Sequence, residues 1–172
     1  MEELKKHLKS RQKVVDTALR NYLPAAKTRP ATIHDAMRYS VFAGGKRLRP
    51  ILCLEAADAC GGKIESALAP AAAVECIHTY SLIHDDLPCM DDDDLRRGQP
   101  TSHIKYGEGI AVLAGDALLT IAFEILADTQ LPIRCRYSMQ ELIKELATTA
   151  GSRHLVGGQV LDLEGEGKDV WN

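Results

Sequence analysis

Six carboxylates fall within ten positions, Asp85, Asp86 and Asp91 to Asp94, and two arginines follow at once, Arg96 and Arg97. The stretch HDDLPCMDDDDLRRG grows from the apolar run Ala69 to Ile83, which reads as a buried helix. Like charges at the mouth of a buried element repel one another unless something cationic sits among them. Carboxylate oxygens without Cys or His in the cluster suit a hard ion, Mg²⁺ first. The arginines point to a second, anionic partner, because a guanidinium fork matches phosphate. Acidic runs are most often solvated loops, but such a loop would not be expected to start on an apolar helix with Pro88 inside it. A calcium loop of the EF-hand kind lacks its turn glycine and closing glutamate here.

A second charged stretch lies upstream, Lys46-Arg47-Leu48-Arg49-Pro50 after Gly44-Gly45. Pro50 suits the first residue of a helix. Three cations at a helix N-terminus oppose the macrodipole by a few tenths of a kcal/mol each, roughly. Free N–H groups with Lys and Arg make a good anion site, so a bound phosphate removes the conflict. The bland alternative is a solvated basic turn. His78 lies seven residues before Asp85, two turns along one helix, and shares its face; Ser81 lies there too, with Tyr80 to the side. Asp85 and Asp91 would stand roughly 120° apart on an ideal helix, and Pro88 distorts the turn enough to let Asp91 swing toward Asp85.

The elements that must hold these groups read as helices punctuated by Gly and Pro, with no alternating strand pattern. Leu4, Leu8, Val15, Leu19 and Leu23 stripe a first helix that ends at Pro24. A second covers about Thr32 to Ala43, and a third runs from Pro50 to Gly61-Gly62. The fourth starts near Pro70, with small residues for close helix packing. Thr101 to Tyr106 makes a short helix. Ile110 to Ala127 is a central core helix in which Asp116 needs a partner. A sixth long helix covers about Tyr137 to Ala150, with continuation past Gly151 left open by the pattern. Gly157-Gly158-Gln159 marks a close approach, with Gln159 either facing a cavity or packing.

The 172 residues suit one domain, 45% of them hydrophobic, with a formal charge of −3 that offers nothing to nucleic acid. Five dispersed cysteines without C-x-x-C spacing read as reduced thiols, hence a cytoplasmic protein. The N-terminus lacks a signal peptide's apolar core, and no run reaches membrane-spanning length, so no membrane partner is expected.

These motifs resemble those of the trans-isoprenyl diphosphate synthases, the farnesyl and geranylgeranyl diphosphate synthase family. DD-x-x-x-x-D is matched by Asp85, Asp86 and Asp91 ahead of Arg96-Arg97-Gly98. GGKRLRP is matched by Gly44 to Pro50, the upstream histidine by His78, and G-G-Q-x-x-D-L by Gly157 to Leu163. The resemblance implies an all-α helical bundle around a central apolar cavity. It implies Mg²⁺, up to three ions per site in the complete enzyme, on Asp85 and Asp91, with Asp86 supporting. Arg96 would contact an allylic diphosphate, and Gly45, Lys46, Arg49, His78 and Arg97 would hold isopentenyl diphosphate. Ionisation of dimethylallyl or geranyl diphosphate, attack by isopentenyl diphosphate and proton loss, with released diphosphate as base, would follow. Tyr80 and Ser81, five and four residues before Asp85, take the place of the chain-length floor. A bulky Tyr80 resembles the bacterial farnesyl diphosphate synthases and implies a C15 product, with C20 the alternative. The family also implies a homodimer, for which the Ile110 to Ala127 helix suits the interface.

The family's second aspartate-rich motif and Lys-Thr pair have no counterpart among these residues. The expectation is therefore the N-terminal part of a larger domain, incomplete at its C-terminus and inactive or nearly so alone. A class I terpene cyclase would not need Lys46, Arg49 and His78. A non-catalytic subunit tuning a partner would not need intact aspartates.

Overall fold

The structure, a computed structural model, describes residues 1–132 and 135–167. Its elements in order are α1 (Glu2–Tyr22), α2 (Ala31–Phe42), α3 (Leu48–Ala59), α4 (Ile64–Asp85), β1 (Leu95–Arg96), β2 (Gln99–Pro100), α5 (Ser102–Tyr106), α6 (Glu108–Ala127), α7 (Met139–Ala150) and α8 (Leu155–Gly165). The chain divides into two compact units, Met1–Gln130 and Leu131–Asn172.

In the first unit α4 is the centre, packed against α6, α3, α1 and α2. Alanines dominate the contact: Ala69, Ala71, Ala72 and Ala73 of α4 and Ala111, Ala114 and Ala122 of α6 are all buried. Small side chains let two backbones approach, and Gly115 carries this furthest. A β-carbon there would collide with the His84 ring, whose Nε2 lies 3.1 Å from the Val112 carbonyl oxygen. Around this crossing Leu19, Leu54 and Leu118 are fully buried, and truncating any of them to Ala should cost about 2–5 kcal/mol.

Several expectations need correction. α4 begins at Ile64, not at Pro70, which sits in its second turn. α3 begins at Leu48, because Arg47 takes the N-cap position and leaves Pro50 inside the first turn. Residues 95–100 form an antiparallel hairpin that no alternating pattern announced. α6 is long and apolar enough to cross a membrane, contrary to the reading that no run is; in this fold it packs on α4, α2 and α5. Asp116 is not buried within α6: its side chain is 58% exposed, 3.9 Å from His84.

In the second unit Ser138 and Glu141 form a capping box, with Ser138 N–H donating to Glu141 Oε2 at 2.7 Å and Glu141 N–H to Ser138 Oγ at 3.2 Å. α7 stops at Ala150 instead of running past Gly151. The expected close approach at Gly157 is real within this unit, since a β-carbon would collide with the Ser152 carbonyl. Residues 168–172 lie outside the described residues.

Candidate diphosphate and metal site

The glycine turn between α2 and α3 is a run of left-handed backbone. Gly44 has φ +97°, Gly45 +123° and Arg47 +53°. Glycine takes such values freely; arginine does so only when its surroundings hold it. Arg47 is held on three sides. Its Nε donates to Asp16 Oδ1 at 2.9 Å, its Nη1 to Glu75 Oε1 at 2.7 Å and its Nη2 to the Val41 carbonyl at 2.6 Å. Arg47 and Glu75 are both buried. Of the three cations expected to receive an anion, this one turns inward and is neutralised, while Lys46 and Arg49 stay exposed.

The hairpin delivers the opposite wall. Its turn residues Arg97 and Gly98 have φ +55° and +76°, both positive as a tight two-residue hairpin requires. Arg96 pairs across the ladder with Gln99, and Leu95 with Pro100. The Arg97 side chain reaches back to the glycine turn, where Nη1 donates to the Gly44 carbonyl. Its guanidinium lies against Gly45, in space a β-carbon would fill. Arg97, Lys46, Arg49, His78, Gly44 and Gly45 thus line one hollow of about 550 Å³. His78 Nε2 is 3.4 Å from Arg49 Nη1. Burial and then Arg49, Arg97, Arg96 and Arg47 push His78 down to about 4, so the imidazole is neutral at physiological pH.

The acidic stretch caps the same helix. After Asp85 the chain folds back over the end of α4, and the Asp91 N–H donates to the Asp85 carbonyl at 2.8 Å. That bond is the swing the proline was expected to permit. It brings Asp91 close enough to help hold the Asp85 carboxyl above its ordinary range, after burial and ahead of Asp86. Asp86 behaves differently. It is buried, and Arg96 grips its Oδ1 through Nε at 2.6 Å and Nη2 at 2.5 Å. Arg96 also lies 3.6 Å from Asp93. The two adjacent arginines therefore serve different walls, Arg97 the basic hollow and Arg96 the carboxylates.

Residues 30–171 match the polyprenyl synthetase family model. The chain belongs to that family. It is 51% identical over 166 residues to the large subunit 1 of a heterodimeric geranylgeranyl pyrophosphate synthase of Arabidopsis thaliana, covering 94% of this chain and 43% of that one. It is 49% identical over 158 residues to farnesyl diphosphate synthase of Escherichia coli (strain K12), covering 92% and 53%. Among solved structures it resembles an FPP/GFPP synthase from Zymomonas mobilis, with TM-score 0.89 and 42% identity over 98% of this chain and 60% of that one. It also resembles a geranyltransferase from Legionella pneumophila, with TM-score 0.91 and 34% identity over 99% and 59%. The chain spans about half the length of the curated relatives it matches.

As a member of the polyprenyl synthetase family, the chain can be tested for its fit to a divalent ion. Asp85 and Asp91 supply hard oxygen donors whose mutual repulsion an ion would relieve. Asp86 is already paired with Arg96, and among the described residues no three His, Cys, Asp or Glu side chains converge to enclose an ion. The fit is thus to a two-carboxylate platform on an open face. Of the expected floor residues, Tyr80 is buried with its ring edge-on to His84, centroids 5.8 Å apart, and Ser81 Oγ donates to the His78 carbonyl at 3.0 Å. The residue that sequence reading missed is Glu75. Its signal was available, a lone carboxylate in the apolar run AAAVECI.

Proposed function

We propose that this chain supplies the first-substrate and metal-binding half of a short-chain prenyl transferase. In that reaction the allylic C–O bond breaks, a carbon–carbon bond forms to isopentenyl diphosphate, and a proton leaves. The observation that carries the reading is the single hollow lined by Lys46, Arg49, His78 and Arg97, with Asp85 on the same helix as His78. Two turns separate that pair, about 10 Å along the axis. Lys46, Arg49 and Arg97 bind the diphosphate of isopentenyl diphosphate, and neutral His78 donates or accepts one hydrogen bond beside it. Arg96 faces the allylic diphosphate from among the carboxylates. Mg²⁺ on Asp85 and Asp91 supplies positive charge to the leaving diphosphate.

A C15 product is our reading of the position of Tyr80, buried on α4 five residues before Asp85. Relatives named for geranylgeranyl and for farnesyl products both match this chain closely, which keeps C20 as the second reading. A dimer is part of the same proposal, and the name of the Arabidopsis relative makes a heterodimer the alternative to a homodimer.

Two experiments test this. Calorimetric titration of the chain with inorganic diphosphate should show binding that Lys46→Ala/Arg49→Ala removes; equal binding by that variant would rule the hollow out. Chain-length analysis on a protein extended to the relatives' full length, fed isopentenyl and geranyl diphosphates, should give C15. Tyr80→Ala should lengthen the product, and an unchanged product would remove Tyr80 as the floor.

A further inference from the structure

The cationic stretch 46–49 does not act as three equivalent charges. Arg47 alone turns inward, into a cluster contributed by three helices: Asp16 of α1, Val41 of α2 and Glu75 of α4. Its own backbone is left-handed and forms the N-cap of α3. That conformation decides how the chain turns from the glycines into the helix, and hence where the residues on either side point. Lys46 precedes it and Arg49 follows in the first turn, both exposed and both lining the hollow. The glycine turn is tied on two further sides, by Gln12 Nε2 donating to the Gly45 carbonyl at 2.8 Å and by Arg97 donating to Gly44. Those two bonds hold the backbone ahead of Lys46; the Arg47 cluster holds the link between Lys46 and Arg49 itself, because the left-handed backbone persists only where surrounding contacts over-determine it.

The charge balance follows the same logic. Glu75 also lines the hollow, where a free carboxylate would repel an anion. Arg47, in the same wall, offsets it at 2.7 Å, so the cations of the lining not committed to a carboxylate are Lys46, Arg49 and Arg97; Asp16, the second carboxylate on Arg47, is one-third exposed.

We infer that Arg47, clamped by Glu75 and Asp16, is the positioning residue of the anion hollow and that Glu75 is its partner in that role. The inference rests on the reading of the hollow as a diphosphate site, in whose wall Arg47 and Glu75 stand bonded to each other. Arg47 directs Lys46 and Arg49 toward one phosphate group.

The test replaces the buried pair with apolar residues of similar size, Arg47→Met with Glu75→Leu, because such swaps keep a fold while single removal strands a charge. Asp16 is one-third exposed and remains hydrated. The probe is inorganic diphosphate, titrated without metal into parent, double variant, Arg49→Ala and the triple combination. The double variant should melt within a few degrees of parent, roughly, and bind about tenfold more weakly. Arg49→Ala should cost about tenfold in parent and under about twofold in the double-variant background, a coupling that a purely structural pair would not produce. A folded double variant that binds like parent, or a full Arg49 effect in both backgrounds, overturns the positioning role and leaves the diphosphate reading intact. A parent that does not bind diphosphate overturns both. If the double variant does not fold, Asp16→Asn serves instead: about threefold weaker binding is expected, and unchanged binding overturns the inference.

Discussion

Arg97 lies across Gly45, so closely that its guanidinium occupies the place of the missing β-carbon while its Nη1 bonds the neighbouring Gly44 carbonyl. The contact joins two segments 53 residues apart in the chain, a hairpin turn and a helix-entry turn, and closes the basic hollow between them. Gly44 and Gly45 both have positive φ, yet only position 45 meets anything within van der Waals reach. Gly44→Ala should therefore cost only backbone strain, about 1–3 kcal/mol. Gly45→Ala should cost that strain and also displace Arg97, weakening diphosphate binding about tenfold beyond the Gly44 variant. Paired thermal melts and calorimetric titrations separate the two terms. Equal binding by both variants would mean that Arg97 contributes nothing to the hollow.

The Asp86–Arg96 pair is asymmetric. The Asp86 side chain is 5% exposed and the Arg96 side chain 31%. Removing the arginine strands a buried carboxylate; removing the carboxylate frees an arginine that can reach water and still has Asp93 nearby. Arg96→Ala should accordingly destabilise the fold by about 3 kcal/mol and Asp86→Asn by about 1 kcal/mol. Urea unfolding with matched slopes measures both. The reverse order would show that Asp86 is more hydrated than its burial implies.

Asp85 should show the opposite sign without metal. Burial and the neighbouring Asp91 raise its carboxyl above the ordinary range, so its charge is carried at a cost. Asp85→Asn relieves that repulsion and should raise the melting temperature of the metal-free chain. The same change removes half of the two-carboxylate platform, so the stabilisation expected of the parent on adding Mg²⁺ should be absent in the variant. Melting curves with and without Mg²⁺ report both effects. A variant that is less stable without metal, or that keeps its Mg²⁺ response, would detach Asp85 from the role assigned to it.

Much of this arrangement was legible because helical punctuation is local. Gly44-Gly45, Gly61-Gly62 and Gly107 stop or start helices by their own backbone freedom, and the observed ends fall within a few residues of them. The return of the chain from Asp91 to the Asp85 carbonyl was legible too, since Pro88 cannot continue the helix. What the residue types could not carry was direction. Lys46, Arg47 and Arg49 are alike as letters; the inward turn of Arg47 is decided by Glu75, 28 positions away. The Arg97-Gly98 hairpin has strands of two residues each, too short for an alternating pattern. Asp116 looked buried because its helix is apolar all round, but its face of α6 is left open.

His78 provides the pH test. Burial and the cations Arg49, Arg97, Arg96 and Arg47 bring it down to about 4 from an ordinary 6.5. Below pH 6.5 the unfolded chain takes up a proton on this ring, while the folded chain takes none until the pH nears 4. The unfolded state then binds more protons, so stability falls as the pH falls through that window. Above pH 6.5 the contribution is fully present. In His78→Gln no such titration exists, so parent and variant should run parallel from pH 8 to 7 and diverge below 6.5, with the parent losing more. Diphosphate in the hollow offsets the surrounding positive charge and favours the protonated ring, so saturating diphosphate should shrink the divergence. Urea unfolding of both proteins at steps between pH 8 and 4.5, with and without inorganic diphosphate, tests this. Curves that stay parallel throughout would mean that the ring is not held neutral by burial and the arginines around it.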